Sequence, residues 1–94
     1  MLTHVVVMHF ESPDDAVSAR DRLLGMKGRI EVLRHIEAGV DVLRSERSWE
    51  LALITRFDSL DDLQIYAVHP VHKEVLAFIK PRLTRAVTVD FESS

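Results

Sequence analysis

The sequence predicts an α+β domain in which helices cover one face of an antiparallel sheet. Two observations support this class: apolar residues alternate with a period of two in some segments and recur at helical spacing in others, and the predicted order is strand, helix, strand, strand, helix, strand. That order in so short a chain is typical of the ferredoxin-like split βαββαβ unit. Residues 1–94 are predicted to form a single domain, because chains this short rarely build two cores.

The first predicted strand, residues 2–10, is rich in β-branched and aromatic side chains. Alternation divides it into two faces. One face carries His4, Val6, Met8 and Phe10, and the other carries Thr3, Val5, Val7 and His9. Both faces are largely apolar, which predicts a strand covered on both sides.

A helix is predicted to follow, with Ser12 as its N-cap and Pro13 at its first position. Gly25 and Gly28 are expected to end it, because glycine accepts the left-handed conformation common at helix ends. The predicted apolar stripe of this helix contains Val17, Leu23 and Leu24, supported by Ala16 and the stem of Arg20.

Two strands are predicted next. The first runs from Leu33 to about Leu43, with a bulge expected at Gly39, and the second runs from Trp49 to Phe57. The polar residues 45–48 are expected to connect them.

Ser59 is predicted to cap a second helix that runs to about Val68. Pro70 should open a further helix, and Pro81 should end or kink it. Its predicted buried stripe contains Val71, Val75, Leu76, Ile79 and Leu83. A last strand is predicted over residues 86–91.

Composition excludes several classes of function. Twelve basic and fifteen acidic residues give a formal charge of −3 without a basic block, which argues against a nucleic-acid partner. No apolar run approaches the ~20 residues needed to span a bilayer, and residues 1–10 lack the charged start of a signal peptide. The chain has no cysteine, which removes disulfides and thiolate chemistry. We therefore expect a cytoplasmic protein.

The segment Tyr66-Ala67-Val68-His69-Pro70-Val71-His72 concentrates groups that exchange protons. An imidazole with a pKa near ~6.5 can remove a proton from carbon next to a carbonyl group at neutral pH. A tyrosine hydroxyl can donate a hydrogen bond to the oxygen that becomes negative. The segment is therefore a candidate for acid–base chemistry.

The sequence resembles the stress-responsive A/B-barrel domain (Dabb) family over essentially its whole length. The residues that carry the resemblance are His4-Val5-Val6, Phe10, Leu51-Ala52-Leu53, Arg56-Phe57-Asp58-Ser59-Leu60, Tyr66, His69-Pro70-Val71-His72, Val75, Phe78-Ile79-Lys80-Pro81 and Val89-Asp90-Phe91. The resemblance implies a homodimer in which two sheets close into a dimeric α/β barrel. The partner would then provide the second cover of the first strand.

One branch of this family, the plant polyketide cyclases resembling olivetolic acid cyclase, performs an intramolecular aldol cyclisation without a cofactor. The resemblance implies a pocket between sheet and helices with His72, Tyr66 and His4 as catalytic residues. The ligand-binding residues expected around them are Val6, Met8, Leu53 and His69.

Structural roles compete with these assignments. His69 can bond a local carbonyl group while Pro70 sets the turn, His72 can be solvated, and Tyr66 can be a core residue whose hydroxyl bonds the backbone. His4 can likewise be a core histidine with a satisfied ring. His9 and His35 are expected at the other sheet face or its edge, as dimer contacts.

A metal site is disfavoured, because His69 and His72 lack an identified third ligand beyond Asp90 or Glu74. Two other functions stay open. One is a non-catalytic module that binds a small ligand or mediates stress-related interactions as a dimer. The other is a haem-dependent monooxygenase, which has fold analogy as its sole support.

Overall fold

Four antiparallel strands form one sheet in the computed structural model, which describes residues 1–94. The elements are β1 (Leu2–Phe10), α1 (Pro13–Leu24), β2 (His35–Val40), β3 (Leu51–Phe57), α2 (Leu60–Val68), α3 (Pro70–Ile79) and β4 (Leu83–Glu92). The strand order is β2-β3-β1-β4, so β1 lies inside the sheet between β3 and β4. The predicted ferredoxin-like α+β fold is confirmed.

The hydrophobic core lies between one face of the sheet and the three helices. Val6, Met8 and Phe10 of β1 pack in one buried cluster with residues of β3 and all three helices. The face of β1 predicted to contain these side chains is therefore the helix-covered one. No helix in the chain has the length and apolar character needed to cross a membrane.

The other face of the sheet is uncovered and largely apolar. In the middle of that face, Val5 of β1 lies between Ile54 of β3 and Val89 of β4. Large apolar side chains of β4 are exposed along it, namely Val87, Val89 and Phe91. A single chain thus supplies one of the two covers predicted for β1.

A side-chain N-cap precedes each of the three helices. The hydroxyls of Ser12 and Ser59 accept the N–H groups of Asp15 at 3.4 Å and Asp62 at 3.2 Å, as their positions predict. His69 caps α3: its ring Nδ1 accepts the N–H of Val71 at 3.1 Å and does not bond the local carbonyl group predicted for it.

The buried side of α1 differs from the predicted stripe. Ala16, Ala19 and Leu23 are buried, whereas Val17 and Leu24 are each 38% exposed. The buried residues follow the i, i+3, i+7 spacing of one helical face, and two of them are small. The prediction contained Leu23 and, as a supporting residue, Ala16, but it missed Ala19 because it weighted large side chains over alanine.

The boundaries of three strands also differ from the predicted ones. β2 is shorter than predicted, β3 starts at Leu51 rather than Trp49, and β4 starts at Leu83 rather than at residue 86. Leu83 therefore belongs to a strand and not to the stripe of α3. The bulge predicted at Gly39 is absent, because Gly39 pairs in register with Ala52.

The irregularity in the sheet occurs instead at the end of β1. The register with β4 shifts between His9 and Phe10. There the carboxylate of Glu50 accepts the N–H of Phe10 at 2.7 Å. Glu50 precedes β3, on the other side of β1 from β4, so its side chain satisfies a β1 N–H beyond the end of the β1–β3 ladder.

The two glycines after α1 behave differently. Gly25 keeps a right-handed conformation with φ −65°, whereas Gly28 has φ 80°. Gly28 alone matches the left-handed conformation that was expected of both, and a side chain there would strain the backbone.

Candidate active site

A cavity of about 230 Å³ lies between the helices and the covered face of the sheet. Nine of its twelve lining residues are apolar when Tyr66 is counted among them. They are Val6, Met8, Leu23, Leu53, Tyr66, Leu76, Ile79, Leu83 and Ala86. The other three are His4, His72 and Lys80, so a few polar groups face a predominantly apolar space, as in most small-molecule sites.

Tyr66 occupies the last turns of α2 and is 1% exposed. Its ring packs against Phe57 with a centroid distance of 4.9 Å. Its hydroxyl is buried and has no hydrogen-bond partner in the protein. Burial raises the pKa of this hydroxyl, so it stays protonated and available as a donor. An unpartnered buried hydroxyl costs stability, and few are kept in folded proteins.

His72 lies in the first turn of α3, with its ring centroid 4.2 Å from that of Tyr66. Its Nδ1 lies 3.1 Å from the carbonyl oxygen of Ala67. A carbonyl oxygen can only accept, so Nδ1 carries the proton and Nε2 keeps its lone pair.

The pKa of His72 lies below its usual value mainly because burial disfavours the charged ring. The hydrogen bond to Ala67 acts in the opposite direction, while His4, Lys80 and His69 add to the lowering. His72 is therefore a neutral base at pH 7.

His4 approaches Tyr66 from the sheet. The two ring centroids are 6.5 Å apart in an edge-to-face arrangement. The Nδ1 of His4 pairs with the carboxylate of Asp90, which lies opposite His4 in the register of β1 and β4. This contact orients the imidazole ring in the way that a carboxylate orients a catalytic histidine.

The structure brings most of the predicted site residues to this cavity. His4, Tyr66 and His72 line it together with the predicted ligand-binding residues Val6, Met8 and Leu53. His69 does not line it. Its ring caps α3 and borders a separate surface hollow, so it is not carried into the site proposed below.

Several lining residues were not identified from the sequence. The sequence predicts Leu76, Ile79 and Leu83 as part of a buried helical stripe and indicates no site role for Lys80 and Ala86. Spacing could not separate core from cavity lining, because both use apolar side chains on the same helix face. The pairing of Asp90 with His4 depends on strand register, which the sequence does not state.

The other histidines lie outside the cavity. His9 is stacked on Trp49 at 5.7 Å and hydrogen-bonded to Glu50 at 2.7 Å. His35 faces Glu37 at 3.6 Å on β2. No three histidine or carboxylate side chains in the chain are arranged to hold a metal ion.

A second hollow, of about 170 Å³, lies at the end of the sheet beneath the β2–β3 loop. Its lining is mostly charged or hydroxyl-bearing, including Glu11, Arg44 and Glu50, and contains no histidine or tyrosine. The cavity lined by His4, Tyr66 and His72 is therefore the one that combines histidine with tyrosine.

The family model of the stress-responsive A/B barrel domain, Dabb, matches residues 2–93. The chain belongs to the Dabb family. The resemblance seen in the sequence is confirmed over nearly every residue. No curated protein matches the sequence significantly.

Solved structures share the fold of this Dabb domain. A dimeric ferredoxin-like protein of unknown function from Bacteroides fragilis is 26% identical, with 98% of this chain and 95% of that chain covered and a TM-score of 0.86. A dimeric ferredoxin-like protein of unknown function from Thermobifida fusca is 25% identical, with 96% and 88% covered and a TM-score of 0.84. The hydroxynitrile lyase of Passiflora edulis is 13% identical, with 96% and 90% covered and a TM-score of 0.80, a likeness of fold alone.

Proposed function

We propose that this Dabb protein is a cofactor-independent enzyme that performs acid–base chemistry of the cyclase, isomerase or lyase type on a small carbonyl compound. The observation that carries the proposal is the buried hydroxyl of Tyr66, which has no partner and lies beside the neutral ring of His72. A folded protein gains nothing in stability from such a hydroxyl. A bound carbonyl oxygen would supply the acceptor that is missing.

The roles follow from the protonation states. Nε2 of His72 takes a proton from the carbon next to the carbonyl group, and the electron pair of that C–H bond moves to form the enolate. The hydroxyl of Tyr66 donates to the enolate oxygen and stabilises its negative charge. His4, held by Asp90, orients or polarises the same oxygen.

The size of the cavity limits the substrate. A dry protein cavity of roughly 150 Å³ holds a benzene molecule. At about 230 Å³, this cavity has room for one ring or a short branched chain together with a carbonyl group. The largely apolar lining favours a substrate body without polar groups.

We also propose that the protein is a homodimer that pairs the uncovered sheet faces of two chains. Val5, Ile54 and Val89 form an apolar row across that face. The relatives from Bacteroides fragilis and Thermobifida fusca are described as dimeric. Pairing two such faces would remove the exposed apolar surface from water. The cytoplasmic location stays a prediction.

The proposed reaction can be tested on its first step with acetophenone, a neutral ketone of suitable size. In D₂O, the protein should accelerate exchange of the methyl hydrogens of acetophenone, followed by proton NMR. His72→Gln should reduce the enzymatic rate by about 10²-fold or more, because a general base contributes about that much. His35→Gln is the matched control, since His35 lies on β2 outside the cavity.

The pH dependence of this exchange has a definite sign. The pKa of His72 is lowered, so the neutral base persists to lower pH than in a free imidazole. The rate should be near its plateau at pH 7, still be high at about pH 6.5, the usual histidine value, and fall only at lower pH. A rate that rises on acidification, or one that His72→Gln leaves unchanged, would remove His72 as the base.

A second candidate is a non-catalytic module that binds a small apolar ligand. The predominantly apolar lining of the cavity favours it. In that case acetophenone would bind without faster exchange, and His72→Gln would leave the affinity for acetophenone nearly intact.

The haem-dependent monooxygenase keeps fold analogy as its sole support, and absence of a Soret shift on haem addition would dismiss it.

A further inference from the structure

Among the residues that line the cavity, Lys80 is the one lysine, and there is no arginine, aspartate or glutamate. It follows the last residue of α3 and is exposed to solvent while it lines the cavity. Lys80 therefore lies at the rim, with the histidines and Tyr66 further in. None of the ion pairs in the structure includes Lys80, so its ammonium group has no carboxylate partner.

We infer that the cavity takes a carbonyl compound that also bears a carboxylate, with the apolar body inside and the carboxylate at the rim against Lys80. This inference rests on the proposed function for the reaction and concerns the substrate class. The apolar lining has no other group of fixed charge that could select between an acid and a neutral analogue.

Charge at the rim also bears on the base. The positive charge of Lys80 is one of the smaller causes that lower the pKa of His72, after burial. A carboxylate bound at Lys80 would offset that charge. The imidazole would then become a stronger base when an acidic substrate is in place, while a neutral analogue would leave it unchanged.

The carboxylate of Asp90 does not replace the proposed ligand. Asp90 is engaged by Nδ1 of His4 and is not among the lining residues. Another reason for a lysine at this position is the negative end of the α3 dipole, which favours cations. That role would affect stability and would not affect the choice between ligands.

A pair of unreactive probes separates these accounts. Phenylacetate and phenylacetamide have nearly the same shape, and only phenylacetate is charged. NMR titrations at low salt should show phenylacetate binding about five-fold more tightly, the upper range for a solvent-exposed ion pair. Lys80→Met should remove the preference and Lys80→Arg should keep it. Lys73→Met, an exposed lysine of α3 outside the cavity, should leave it unchanged.

Three results would overturn the inference: equal affinity of the wild type for both probes, a preference that survives Lys80→Met, or no binding of either probe at millimolar concentration. None of them decides the proposed function, which the exchange of neutral acetophenone tests separately. Conversely, if the wild type did not accelerate acetophenone exchange, a preference for phenylacetate would still describe which ligands the cavity binds.

Discussion

At the scale of single residues, Tyr66 shows where stability and function diverge. Its ring belongs to the core and packs against Phe57, whereas its hydroxyl satisfies no hydrogen bond. The expectation that a core tyrosine would bond the backbone is therefore not met. The ring explains why an aromatic residue stands here, and the hydroxyl needs a separate explanation.

Replacing Tyr66 by phenylalanine should separate the two contributions. Tyr66→Phe should leave the free energy of unfolding unchanged or raise it by about 1 kcal/mol, because it removes a buried group without a partner. The same change should slow acetophenone exchange by about 10²-fold, since the donor to the enolate oxygen is lost. Urea denaturation measures the first quantity and NMR the second.

Tyr66→Ala provides the contrast for this variant. It removes the ring and should cost about 3–5 kcal/mol, as for other large aromatic residues in cores. A large loss of stability in Tyr66→Phe would mean that the hydroxyl has a partner in solution, and the central argument for the site would fail.

At the scale of secondary structure, the junction of α2 and α3 positions the two proton-transfer groups. Pro70 disfavours helical angles at His69, whose ψ of 137° ends α2 and starts α3. The turn brings the end of one helix next to the start of the other, so that Tyr66 and His72 meet six positions apart. The ring of His69 stabilises this turn as the N-cap.

His69 is therefore expected to stabilise α3 and not to contact the ligand. His69→Ala should lower the free energy of unfolding by about 1 kcal/mol, the usual cost of losing an N-cap. His69→Asn should recover most of that loss, because asparagine accepts the same backbone N–H. Urea denaturation of both variants checks this prediction.

Ligand affinity tests whether His69 acts only as an N-cap. His69→Asn keeps the cap, so its affinity for phenylacetate should equal that of the wild type. A several-fold loss of affinity in a variant of unchanged stability would return His69 to the ligand-binding residues.

At the scale of the whole molecule, the sheet has one covered and one uncovered face. The helices bury the side of β1 that carries Met8 and Phe10, while the opposite side is left largely apolar. All three helices lie on one side of the sheet, so a single chain of 94 residues leaves the other face uncovered. A second copy of the chain would cover that face without a different protein as partner.

A matched pair of substitutions tests this pairing. Val89 on the bare face of β4 and Val68 on α2 are each 63% exposed. Val89→Glu should give a monomer at micromolar concentration, because pairing would bury an unpaired carboxylate. Val68→Glu should remain dimeric, since α2 lies on the other side of the sheet. Sedimentation velocity distinguishes the two, and a monomeric wild type would refute the dimer.

Local sequence signals were sufficient for the order and type of the elements. The caps at Ser12 and Ser59 and the turn at Pro70 were predicted correctly because each depends on a few adjacent residues. Strand alternation in residues 2–10 also indicated correctly which side chains share a face. Such signals act over one or two turns, and they need no knowledge of distant partners.

Strand register and helix packing decided the site. The sequence determined that this protein has a ferredoxin-like sheet, N-caps at Ser12 and Ser59 and a cluster of proton-exchanging groups near Pro70. Only the tertiary structure set Asp90 against His4, placed Lys80 at the cavity rim and left Tyr66 without a hydrogen bond. The reason is physical: periodicity assigns each side chain to a face, but distances between elements depend on how whole surfaces pack.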